Sequence, residues 1–181
     1  MFNQDTSALI LIDYQTRLLP SIQDGENAVA CAVFLAQVAK HLDILVFGTE
    51  QNPVGLGHND ERVKVHCDQT FLKLSFDASA DGLAKCIQAK SPQINQLILG
   101  GCETHVCLMQ SALGLQEKGF EVGVVAEACG SRKDGDKELA LERLKQHGIQ
   151  ILSPEIIAFE WLRSSDHPQF KKILQLIKNR S

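Results

Sequence analysis

The sequence predicts an α/β protein in three layers, α/β/α, around a central, mostly parallel six-stranded sheet. Two observations carry this expectation. Short apolar runs that stop at a polar residue or a turn recur along the chain, as in ALILI (residues 8–12) before Asp13, and read as strands buried on both faces. Helical stretches alternate with these runs, a pattern that winds a parallel sheet by right-handed crossovers and covers both faces. In such a sheet a ligand sits beyond the carboxyl ends of the strands. Asp13, Lys73 and the turn at 100–107 are therefore expected to meet at one edge.

Each element has its own signal. Residues 27–41 carry Val29, Val33, Phe34 and Val38 at helical spacing with no interior Gly or Pro. A second buried strand follows at 44–47, and then the segment QNPVGLGHND (51–60) reads as a long loop with functional potential. The stretch FLKLSF (71–76) alternates, with Phe71, Lys73 and Ser75 on one face and Leu72, Leu74 and Phe76 on the other, so it is expected to be a strand. A helix at 80–89 is broken by Ser91-Pro92. The strand QLIL (96–99) should stop at Gly100-Gly101. Next come a helix at 105–118 ended by Gly119, a strand at 120–125, a helix at 136–147 ended by Gly148, and a last strand at 149–152. Helices at 154–162 and 167–178 finish the chain, the second with Phe170, Ile173, Leu174 and Ile177 on one stripe. No repeat or linker interrupts residues 1–181, which read as one domain.

Composition narrows the function. A chain of 181 residues, 44% hydrophobic, can bury a core without disulfides, so its six cysteines are read singly. The net charge of −4, with signs interspersed, offers no basic surface for nucleic acid or membranes. The longest wholly apolar run, 28–36, is too short to span a bilayer, and the opening residues MFNQDTS lack a basic leader. The expectation is a cytoplasmic protein with reduced thiols and a small-molecule substrate.

Three side chains carry candidate chemistry. Cys107 falls in the first turn of a helix after Gly-Gly, where unpaired N–H groups and the helix dipole favour a thiolate and can receive an oxyanion. The plainer reading is a small buried hydrophobe. Lys73 between two leucines, and Asp13 at the end of a buried strand, each face a burial cost that pairing would resolve. Separately, they read as a snorkelling lysine and a turn cap. His58, His66, Cys67, Cys102, His105 and Cys107 show no metal-site spacing, and Gly55-Leu-Gly57 lacks the rest of a dinucleotide fingerprint. No metal or other cofactor is expected. Cys31 and Cys86 read as helix packing, while Cys67 and Cys129 have no assigned role.

LILIDYQ, FLKLSF and LGGCETHVCLMQSALGL together resemble the isochorismatase-like cysteine hydrolase family. The stretch TEQNPVGLG (49–57) and the late HPQFKKILQLIK (167–178) resemble the branch of isochorismatase domain-containing proteins, so the resemblance runs along nearly the whole chain. It implies an isochorismatase-like, Rossmann-like fold with Asp13, Lys73 and Cys107 as a catalytic triad. It also implies a cis peptide between Cys102 and Glu103, directing the Glu103 N–H, with that of Cys107, at an oxyanion hole.

Two features qualify the resemblance. The metal-binding Asp/His cluster of nicotinamidases is replaced here by GTEQNPVGLGHND, so neither that metal nor nicotinamide specificity carries over. True isochorismatases cleave a vinyl ether without a cysteine, so Cys107 points to acyl chemistry on a C–N bond, amide or ureido. The alternatives are a non-catalytic or redox-sensing protein with a reactive Cys107, and a vinyl-ether hydrolase. The resemblance further implies a homo-oligomer, with the stripe at 170–177 as a candidate contact.

Overall fold

The computed structural model of the protein describes residues 1–180. Six strands, β1 (Ser7–Ile12), β2 (Leu45–Gln51), β3 (Gln69–Lys73), β4 (Gln96–Cys102), β5 (Glu121–Gly130) and β6 (Gln150–Leu152), form one sheet in the order β3-β2-β1-β4-β5-β6. Every pairing is parallel, so the sheet is wholly rather than mostly parallel. Eight helices accompany these strands among the described residues: α1 (Gly25–His41), α2 (Pro53–Leu56), α3 (Glu61–Lys64), α4 (Leu83–Lys90), α5 (Met109–Glu117), α6 (Asp134–Gln146), α7 (Pro154–Leu162) and α8 (Phe170–Arg180).

Alternation along the strands builds two apolar layers, one on each face of the sheet. From β1, Leu9 and Leu11 pack with Leu35 of α1, Trp161 of α7 and Ile173 of α8. Ala8, Ile10 and Ile12 point the other way, towards Leu83 and Ile87 of α4, Leu115 of α5 and Leu144 of α6. Each such Leu or Ile contributes about 1.5–3 kcal/mol by leaving water. This explains why ALILI is continuously apolar.

The strand order reverses direction at β1. From there β2 and β3 extend to one side and β4, β5 and β6 to the other, which opens a crevice at the carboxyl ends of β1 and β4. Register keeps these ends level, with Ile12 opposite both Thr49 and Gly101, and Gln51 opposite Lys73.

Several elements differ from their sequence expectation. Gly100 and Gly101 do not stop β4, which continues to Cys102. They permit close packing instead: a side chain on Gly101 would stand 2.5 Å from Ile12 Cβ, and one on Gly100 2.6 Å from Ala128 Cβ. By contrast, Gly119 and Gly148 do follow α5 and α6 in the left-handed conformation (φ 93° and 79°) that favours glycine.

Strand β3 ends at Lys73, short of the expected residue 76. The Asp81 carboxylate takes the N–H groups of Leu74 and Ser75, both at 2.9 Å, and turns the chain away from the ladder. Leu72, Leu74 and Phe76 are 59%, 78% and 52% exposed. The α8 stripe also packs inward. Ile173 is fully buried, and Phe170, Leu176 and Ile177 pack on the chain's own core.

Candidate active site

The end of β1 supplies a buried carboxylate. Asp13 leaves the strand in a left-handed conformation (φ 53°), and its side chain is fully enclosed. Oδ1 accepts a hydrogen bond from Thr49 Oγ1 on β2 at 2.6 Å. Oδ2 lies 2.7 Å from Lys73 Nζ in an ion pair whose two side chains are both 0% exposed. The partly desolvated lysine expected from the sequence is thus wholly buried, where an ammonium requires a partner of opposite charge.

Cys107 enters from β4. Residues Thr104–Leu108 form one π-helical turn, continuous with α5, and place the cysteine at the carboxyl edge of the sheet, 6% exposed. Burial first, then the Asp13 charge, push its thiol up to about 12, and Lys73 offsets only part of this. Burial at this helix-terminal position therefore favours the neutral thiol. The three residues picked out in the sequence as candidate chemistry come together at one point.

The turn before Cys107 is held by several contacts. The Cys102–Glu103 peptide is cis. Cys102 is fully buried, and the Glu103 carboxylate accepts from Arg132 N at 3.1 Å and Nε at 2.9 Å. Thr104 Oγ1 donates to the Gly130 carbonyl at 3.0 Å, and His105 Nδ1 lies 2.9 Å from Ser131 Oγ. Residues 103–105 are thereby tied to the end of β5 and the residues after it.

Sequence reasoning missed two members of the site, Thr49 and Gln51. Gln51 Oε1 accepts from Lys73 Nζ at 2.8 Å and lies 4.0 Å from Cys107 Sγ. The signal is present in the polar TEQ that ends an apolar strand, as Asp13 ends β1, but the sequence pattern ends that strand at 47, leaves Thr49 unassigned and puts Gln51 in the loop. Segment 51–60 is in fact closely anchored. The Gln15 side chain donates to the carbonyls of Gln51 (3.0 Å) and Gly57 (2.5 Å) and accepts from Gln51 N (2.8 Å). Buried Glu50 accepts from Asn59 N at 2.9 Å and lies 2.9 Å from His58 Nδ1. A surface groove of about 740 Å³ along α6 and β6 lies at the opposite edge of the sheet and contains none of these groups.

All six cysteines are unpaired thiols. Cys31 and Cys129 are buried, while Cys67 donates to the Val63 carbonyl and packs against Gly48. Burial raises Cys31 and Cys129 to about 12 and Cys67 to about 11, and moves Cys102 up as well. Because the folded values exceed the unfolded one, stability is complete below about pH 9 and falls as pH rises, by up to about 1.4 kcal/mol per thiol per pH unit. The urea midpoint should therefore drop between pH 8 and 10.5; a flat profile would contradict this burial.

Among the described residues no helix is long and apolar enough to cross a membrane, and no group of three His, Cys, Asp or Glu side chains is placed to hold a metal ion. The Xenopus laevis isochorismatase domain-containing protein 2 is 34% identical over 172 residues, covering 95% of this chain and 83% of that protein. Among solved structures, the Caenorhabditis elegans MAR1 ribonuclease superposes with a TM-score of 0.88 at 30% identity, covering 98% of this chain and 92% of the other. The Escherichia coli YcaC gene product, an octameric hydrolase of unknown specificity, gives 0.81 at 22% identity, covering 99% and 97%. The isochorismatase domain model matches residues 7–155, spanning β1 to the start of α7 and so including Asp13, Lys73 and Cys107, and the chain therefore belongs to the isochorismatase family.

Proposed function

We propose that this protein hydrolyses a C–N bond, amide or ureido, of a small molecule through a thioester on Cys107. The carrying observation is the enclosed Asp13–Lys73 ion pair, 2.7 Å long, acting on a neutral thiol. Asp13 takes the thiol proton as sulfur attacks the carbonyl carbon, and the resulting oxyanion is received by the N–H groups of Glu103 and Cys107. The Asp13 proton then passes to the departing nitrogen as the C–N bond breaks, leaving a thioester. Asp13 next takes a proton from water, the hydroxide attacks the thioester, and collapse releases the carboxylic acid. The thiolate regains its proton from Asp13. Lys73 keeps the carboxylate oriented and balances negative charge in both halves.

No cofactor is required by these steps. The burial of all three groups and the net charge of −4 favour a small substrate over a polynucleotide, although the Caenorhabditis elegans relative is a ribonuclease. The octameric Escherichia coli relative supports a homo-oligomer. A thiol at about 12 argues against peroxide sensing, which needs thiolate. The test is a panel of primary amides and N-carbamoyl compounds, with acid quenching and intact-mass analysis. A turned-over substrate should leave an acyl adduct on Cys107, and turnover with no adduct that persists undiminished in Cys107→Ala would overturn the reading.

A further inference from the structure

We propose that Gln51 is a positioning residue whose amide oxygen holds the Lys73 ammonium on Asp13 and keeps the Cys107 thiol protonated by accepting from it. The inference rests on the reading of Cys107 as nucleophile. Lys73 has three N–H donors. Asp13 Oδ2 stands 2.7 Å from Nζ and Gln51 Oε1 2.8 Å, while the carbonyls of Ser75 and Phe76 are more distant at 3.4 Å. Cys107 Sγ lies 4.0 Å from the same Gln51 oxygen. That oxygen therefore accepts from both the ammonium and the Cys107 thiol, which favours the protonated sulfur.

The orientation of the amide is fixed from its other end. Gln51 Nε2 donates to the Leu74 carbonyl at 2.7 Å, so the oxygen, not the nitrogen, faces Lys73. The Gln51 backbone is clamped on both sides by Gln15, and the residue is buried. The charged groups acting on Cys107 are Asp13 from the end of β1 and Lys73 from β3, and β2 adds the neutral Gln51 between them. A neutral acceptor leaves the ion pair balanced, whereas a carboxylate there would add a negative charge beside the sulfur.

The arrangement gives effects of opposite sign. Gln51→Met keeps size and neutrality but removes the acceptor, freeing an ammonium N–H for the sulfur. Gln51→Glu keeps shape and adds charge. The readout is peptide-resolved alkylation of Cys107 by iodoacetamide from pH 7 to 11, which needs no substrate. At pH 7 the rate should rise about tenfold in Gln51→Met and fall about tenfold in Gln51→Glu, as a one-unit displacement of the thiol in each direction requires. On a substrate found by the amide panel, kcat should fall in both with KM little changed. Should the methionine variant fail to fold, Gln51→Asn, which retracts the acceptor by one methylene, is expected to shift in the same direction. Shifts of the same sign in the neutral and charged variants, or no shift, would overturn the proposal. Failure of the hydrolase reading shows separately, as turnover that survives Cys107→Ala.

Discussion

Cys107→Ala is expected to lower turnover of an amide or carbamoyl substrate by about 10⁴-fold or more, because no other group in the site can form the acyl intermediate. The loss should appear in kcat. The fold should change little, since one small side chain is truncated where α5 and the sheet already meet. Cys107→Ser should also be severely impaired, since its hydroxyl is a far weaker acid than even the raised thiol. Asp13→Asn in the Cys107→Ala background should add almost nothing, because residues that act as a unit are strongly non-additive. Retention of turnover within tenfold in Cys107→Ala would instead favour chemistry that does not pass through sulfur, as in vinyl-ether hydrolysis.

Lys73→Met is expected to lose activity and also to destabilise the fold by about 3–5 kcal/mol, since it leaves the Asp13 carboxylate buried without its counter-ion. The paired change Lys73→Met with Asp13→Asn should recover most of that stability and none of the turnover. Chemical denaturation of both variants and the parent measures the difference. Equal stability of Lys73→Met and the parent would mean that water or another cation reaches Asp13, contrary to its enclosure. The double variant thus separates the structural weight of the ion pair from its chemical role.

The candidate chemistry was legible where a residue type conflicted with its setting. An aspartate ending ALILI and a lysine between leucines are costly unless they pair, and the strand rule brings them to one edge. Thr49 and Gln51 created no such conflict, being uncharged and next to a loop-like segment. Their roles come from register, which sets Ile12 against Thr49 and Gln51 against Lys73. Gly100-Gly101 was misread for a related reason. A glycine pair signals a turn locally, but here its lack of side chains lets β4 lie against Ile12 and Ala128, contacts that are distant in the chain.

By itself, then, the sequence determined the layered α/β architecture, most of the helices and strands and the family resemblance, and it picked out the three candidate side chains, because periodicity, burial cost and motif are local properties of the chain. Only the tertiary structure decided how deeply Cys107 is buried, the length of β3, the use of the α8 stripe inside the chain's own core, and the place of Gln51 beside ammonium and thiol. These depend on how far each group is removed from water and on which atoms from distant segments stand within a few ångströms of it. Neither quantity is contained in any local stretch of residues.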